Sequence, residues 1–152
     1  MTQTPKLQDF NLFPQHVGTW DGTWTICDPE GNKLQQFTAV LEQRIEENQW
    51  RQTNHQTYAD GSTETQEFVG VVLSHGELEI TSDNPPFSNY KTLAKELDDR
   101  LILFKIWQKE TNTLRAIELI HLVADGYRVR TTQSFTPDGT LQSIMTIVET
   151  KR

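Results

Sequence analysis

Apolar and polar residues alternate along most of this chain, the period expected of strands that turn one face to a core and the other to water. The alternation predicts strands over 17–27, 33–45, 49–58, 63–73, 77–82, 90–97, 100–109, 113–124, 127–136 and 140–150. Turn chemistry punctuates them: Asp28-Pro29-Glu30-Gly31, Asp60-Gly61, Ser74-His75-Gly76, Asp98-Asp99, Glu110-Thr111-Asn112, Asp125-Gly126 and Pro137-Asp138-Gly139. Glycine beside a short polar residue supplies the positive φ that tight hairpins require. The 20 threonines, many alternating with apolar residues, suit half-buried strands. Connections this short join only antiparallel neighbours, because a parallel crossover needs roughly a dozen residues. The expected fold is all-β, a single antiparallel up-and-down β-barrel of nine or ten strands whose closure removes exposed edges. A two-sheet sandwich competes, but it needs long crossings, and only Asn84-Pro85-Pro86-Phe87-Ser88-Asn89 reads as such a loop. Leu7, Phe10, Leu12 and Phe13 precede the strands, and Pro14 limits any helix there to a short turn. Residues 1–16 are therefore expected to plug one end of a barrel formed by 17–150, within one domain spanning 1–152.

Composition fits this picture. Only 35% of the residues are hydrophobic, and a barrel explains the low figure, since each long strand shows alternate side chains to water. The balance of 14 basic and 21 acidic residues gives a net charge of −7 with no long block of one sign. That disfavours nucleic acid and anionic lipid surfaces, both of which require a basic face. Apolar runs such as Leu101–Phe104 and Val69–Leu73 fall far short of the ~20 residues that span a bilayer. The opening MTQTPKLQDF has no apolar leader region, and the lone Cys27 excludes an internal disulfide. The expected compartment is the cytoplasm; a homodimer is left open.

Trp20, Trp24 and Ile26 share one face of the first strand, and Gly22 sits between the two indoles, where a missing side chain lets the strand bend. Gly18-Thr19-Trp20, following a short helical lead-in, resembles the signature of the calycin superfamily: the lipocalins, fatty-acid-binding proteins and their relatives. More narrowly, Phe13 through Gly22-Thr23-Trp24 and Asp28-Pro29-Glu30-Gly31, then Tyr58-Ala59-Asp60-Gly61 with Thr63-Glu64, resembles an uncharacterised lipocalin-like family of cyanobacteria and plastid-bearing organisms. The resemblance implies a barrel holding a small hydrophobic or amphipathic molecule such as a lipid, pigment or tetrapyrrole, with Gly18, Trp20 and Gly22 as its structural signature. The chain also departs from these relatives. Only Asp28–Gly31 separates the first two strands, so the helical lid of fatty-acid-binding proteins is missing, and no Arg-x-Tyr stands on the last strand to clamp a carboxylate. Lipocalins pack a late arginine on the signature tryptophan; Lys151, Arg152, Arg128 and Arg130 all compete for that place.

The candidate ligand-binding residues are Trp24, Trp50, Asn54, Phe68, Phe104, His121, Tyr127 and Thr131. On the third strand Trp50, Gln52, Asn54, Gln56 and Tyr58 share one face, and Arg51, Thr53, His55 and Thr57 share the other. An interior of amides and rings suits an amphipathic ligand; alternatively the amides meet water and the tryptophans fill the core. Phe68 with Val72, and Ile102 with Phe104 and Ile106, read first as core. His16, His55, His75 and His121 are scattered without chelating spacing, so no metal site is expected. No cofactor is required, although His121 in an apolar pocket would offer a haem ligand of the kind found in calycins resembling nitrobindin. No Gly-x-Ser-x-Gly or phosphate loop is present, and no catalytic residue is assigned. Two alternatives to a ligand carrier stand. One is a chromophore lyase or chaperone resembling the cyanobacterial bilin lyases; the other is an interaction or assembly factor with a filled core. A pocket of at least ~300 Å³ lined by Trp24, Trp50 and Phe68 separates the first two from the third.

Overall fold

The computed structural model describes residues 3–152 and contains ten strands. They are β1 (Gly18–Cys27), β2 (Lys33–Glu46), β3 (Gln49–Thr57), β4 (Thr63–Ser74), β5 (Glu77–Thr81), β6 (Tyr90–Glu96), β7 (Leu101–Gln108), β8 (Thr113–Ala124), β9 (Tyr127–Phe135) and β10 (Leu141–Lys151). Each pairs antiparallel with the next, and β1 also pairs with β10, so the meander closes into a barrel and the sandwich is excluded. The Asn84–Asn89 loop carries a single 3-10 turn, Phe87–Asn89. Among the described residues no helix is long and apolar enough to cross a membrane.

Closure fixes which side of each strand faces inward. On β1 the inner side carries Trp20 and Trp24, both buried, with Gly22 between them. On β3 it carries Trp50, Gln52, Asn54 and Gln56, so the amides lie inside the barrel. Gly22 has a packing role there: a Cβ added to it would stand 2.7 Å from Cγ of Glu149, a fully buried side chain on the neighbouring β10.

One barrel end is filled. Leu7, Phe10, Leu12 and Phe13, on and beside the 3-10 turns Leu7–Asp9 and Phe13–His16, are buried in one cluster with Trp50, Leu41, Leu78, Ile102 and Leu122. The Phe13 and Trp50 rings meet edge to face at 5.2 Å. A segment this short cannot satisfy its own backbone, and side chains do it instead. The Glu96 carboxylate accepts the N–H groups of Asn11, Leu12 and Phe13 at 3.1, 2.6 and 2.8 Å. Asn48 accepts the Leu7 N–H at 2.7 Å and donates to the Pro5 carbonyl at 3.1 Å. It does so from the β2–β3 turn, where Glu47 and Asn48 both adopt positive φ, 53° and 61°, the twist that two-residue hairpins favour. The Trp20 indole N–H closes the arrangement by donating to the His16 carbonyl at 2.9 Å. The first two residues of the expected 1–16 plug lie outside the described residues.

Because Glu149 is held in place and cannot retreat, Gly22→Ala is expected to destabilise the barrel by ~1–3 kcal/mol through overpacking. Thr23→Ala, at an exposed neighbour, is expected to change stability by less than about 0.5 kcal/mol. Urea titration of the two variants checks the contrast.

Candidate functional site

Strand β9 turns Arg128, Arg130 and Thr132 inward, and all three are buried. A guanidinium taken out of water requires charge and hydrogen-bond compensation. Arg128 Nε donates to Glu149 Oε1 at 2.7 Å, and its Nη1 reaches Gln43 Oε1 at 2.7 Å and His16 Nδ1 at 2.9 Å. Its guanidinium carbon stands 4.0 Å from the centre of the Trp20 ring, and Lys151 Nζ stands 5.3 Å from it, so of the four candidate cations Arg128 and Lys151 are the ones that meet Trp20. Arg130 meets Glu118 Oε1 through Nη2 at 2.7 Å and Nε at 2.9 Å, and reaches Glu149 Oε1 at 3.4 Å.

Burial draws the Arg128 guanidinium down to about 10 against the pull of Glu149, which leaves it charged at neutral pH. On Arg130, burial is outweighed by Glu118 and Glu149, and the net displacement is upward. Burial pushes the Glu149 carboxyl up, but Arg130 and Arg128 together hold it below its ordinary value. His16 is pushed down to about 3, first by burial and then by the charge of Arg128. It is therefore neutral, and since an arginine can only donate, Nδ1 is its acceptor nitrogen.

Amides extend this cluster along the inner wall. Gln43 Nε2 donates to Gln52 Oε1 at 2.8 Å, and Gln52 Nε2 donates to Asn54 Oδ1 at 2.9 Å. The Trp50 indole N–H, 3.3 Å from Gln52 Oε1, fixes the same sense. Above the cluster, toward the end opposite the plug, lies a cavity of about 440 Å³. Rings and aliphatic groups from Phe68, Phe87, Phe104, Ile106 and Met145 line it, interrupted by two polar stretches, Gln52, Asn54 and Gln66 on β3 and β4 and Glu118 and Arg130 on β8 and β9. Trp24 also lines it, under the Arg130 guanidinium at 5.3 Å.

Of the eight residues expected to meet a ligand, Trp24, Asn54, Phe68 and Phe104 line this cavity. Trp50 does not. It faces inward but sits at the plugged end, packed on Phe13. His121, Tyr127 and Thr131 are on the exposed outer side of β8 and β9, so the idea of a haem ligand at His121 in an apolar pocket is corrected. The inner side of β8 carries Ala116, Glu118, Ile120 and Leu122. Val72 and Ile102 are core as expected, whereas Phe68, Phe104 and Ile106 face the cavity. Sequence reasoning assigned no site role to Gln43, Glu118, Arg130 or Glu149. The Arg128-x-Arg130 pair, set on one side of a strand with acidic residues on both neighbouring strands, was the available signal.

Residues 6–152 match the family described as "Domain of unknown function (DUF3598), N-terminal". Among solved structures, a DUF3598-family protein of Nostoc punctiforme PCC 73102 is similar with a TM-score of 0.67 and 14% identity, over 92% of this chain and 49% of its own. The chain thus spans about half the length of that protein. The S-type phycobiliprotein lyase CPES of Guillardia theta gives 0.71 and 11%, over 92% of this chain and 90% of its own. Rv2717c of M. tuberculosis gives 0.66 and 13%, over 95% and 99%. These likenesses concern the fold. No curated protein matches the sequence.

The buried cluster has two measurable consequences. Truncating Arg128 removes the 2.7 Å partner of the buried Glu149 carboxylate and leaves it only the 3.4 Å contact with Arg130, so Arg128→Met is expected to lose ~3–5 kcal/mol in urea titration. Acid should also weaken the fold. Below its ordinary value of 6.5 the unfolded chain protonates His16, while the folded chain resists down to about 3. Stability therefore falls as the pH drops through that window, by roughly 4–5 kcal/mol in full. Glu149, depressed in the fold, adds a loss of the same sign at the acid end. Urea midpoints between pH 7 and pH 4 are expected to fall steeply for the native sequence and more gently for His16→Gln.

Proposed function

The chain belongs to the DUF3598 N-terminal domain family, and from that starting point we propose that it binds a small amphipathic molecule inside the open half of its barrel. The cavity carries this conclusion. At about 440 Å³ it falls within the range of small-molecule sites, and its walls combine aromatic rings with amides on β3 and β4 and charged groups on β8 and β9. Rings offer stacking area to a flat or branched apolar body, and the amides offer fixed partners to its polar atoms. The polarity of those amides is set from below. Arg128 and the Trp50 indole can only donate, so the run from Gln43 through Gln52 to Asn54 ends on the Asn54 amide N–H, at the cavity wall. A ligand acceptor is the natural complement of that terminus. Entry is from the end opposite the plug, where the β1–β2 connection is a tight turn, with Asp28 accepting the Glu30 and Asn32 N–H groups, and not a helical lid.

Native mass spectrometry of the protein isolated from its own source tests the proposal. A non-covalent small molecule is expected to co-purify with the native chain and to be absent from Ala116→Trp, which fills the cavity from its wall. A clean apo mass for both, with no binding of added amphipathic probes, favours an assembly factor acting through its outer surface. A co-purifying open-chain tetrapyrrole moves the assignment to a chromophore-handling factor, as the name of the Guillardia lyase would suggest.

A further inference from the structure

We infer that the molecule taken by this cavity is an organic anion, its carboxylate held at the mouth by Arg115 and its apolar body directed inward; the inference rests on the cavity-binding proposal above. Between β7 and β8 the register shifts: Ile106 stands opposite Ala116, Trp107 opposite Leu114, and Arg115 is left as the extra residue of a bulge. A bulge re-aims a side chain that strict alternation would send outward, and both Arg115 and Ala116 line the cavity. Arg115 sits at the open end. Its Nε donates to the carbonyl of Phe135, the last residue of β9, at 2.8 Å, and its Nη1 to Oε1 of Gln108, the last residue of β7, at 3.2 Å.

Both partners are neutral. Among the described residues the ion pairs do not include Arg115, whereas Arg130, the other cation of the lining, is taken up by Glu118 and Glu149. The cavity therefore carries a surplus positive charge at its mouth, in a chain whose net charge is −7. Two hydrogen bonds fix the guanidinium, and Nη2 is engaged by neither of them. A carboxylate meeting it gains a charge-assisted bond from a group already oriented. The apolar body then extends past Ile106 toward Phe104 and Phe68. A neutral ligand would leave the cation half-buried with no counter-charge.

Fluorescence titration with cis-parinaric acid and its methyl ester tests this on the native chain, Arg115→Gln and Arg115→Lys. The native chain is expected to bind the acid about tenfold more tightly than the ester. Arg115→Gln should bind acid and ester with equal affinity, and Arg115→Lys should keep part of the preference. Near-UV circular dichroism confirms that each variant is folded. Equal affinity for acid and ester in the native chain, or a preference that survives Arg115→Gln, overturns the role of Arg115 and leaves the cavity-binding proposal intact. Binding of neither probe by the native chain overturns both.

Discussion

Two arginines at the middle of the barrel are the constraint around which the rest is arranged. A buried guanidinium is tolerated only when its donors find acceptors and its charge finds a counter-charge. Arg128 alone draws residues from four places in the chain: Glu149 on β10, Gln43 on β2, His16 from the N-terminal segment, and Trp20 on β1 beneath its flat face. Each demand passes to a neighbour. Glu149 can lie against β1 only because position 22 has no side chain, and His16 can accept a bond from an arginine only while it stays neutral. Gly22 and Trp20 are thus two parts of one charge-burial arrangement, and the plug is anchored to it through the Trp20 bond to His16.

The same cluster divides the interior in two. Below it, the apolar side chains of residues 7–13 complete a hydrophobic core with Trp50, Leu41 and Leu122. Above it the wall becomes a mixture of rings and amides around free volume. Such a mixture is poorly suited to closing on itself, since amides packed against phenylalanines would lose partners, whereas side chains held by one another can line a space without collapsing into it.

The architecture was legible because it depends on two local signals, period-two alternation and turn residues, and the turns fell where glycine and short polar residues stood. The site was only half legible. Trp24, Asn54, Phe68 and Phe104 follow from strand parity, but Trp50 shows that parity gives the side and not the depth along the barrel axis. His121 misled because β8 is apolar on both sides: Ile117, Leu119 and Val123 share its outer side, while Ile120 and Leu122 face in. On β9 the residues that look like core, Tyr127 and Val129, stand outside, and the arginines stand inside. Hydrophobicity cannot reveal that inversion, because it is decided across strands by Glu118 and Glu149. Arg115 was less accessible still, since a bulge is a property of the register between β7 and β8 and leaves no mark on either strand alone.

Three inward arginines therefore differ in what they can offer a ligand. Arg128 is sealed below the cavity, with Nε and Nη1 engaged by Glu149, Gln43 and His16. Arg130 lines the cavity, but an incoming carboxylate would have to compete with Glu118 and Glu149, exchanging one buried ion pair for another while leaving a glutamate stranded. That exchange is unfavourable, which explains how the interior can be rich in guanidinium groups without the deep carboxylate clamp of fatty-acid-binding proteins. Arg115 faces no such competition, because its partners are a carbonyl and an amide. On the proposed reading, selection for charge falls to the rim of the barrel, where a carboxylate sheds less of its hydration, and the floor would read the ligand through fixed, mutually neutralised groups.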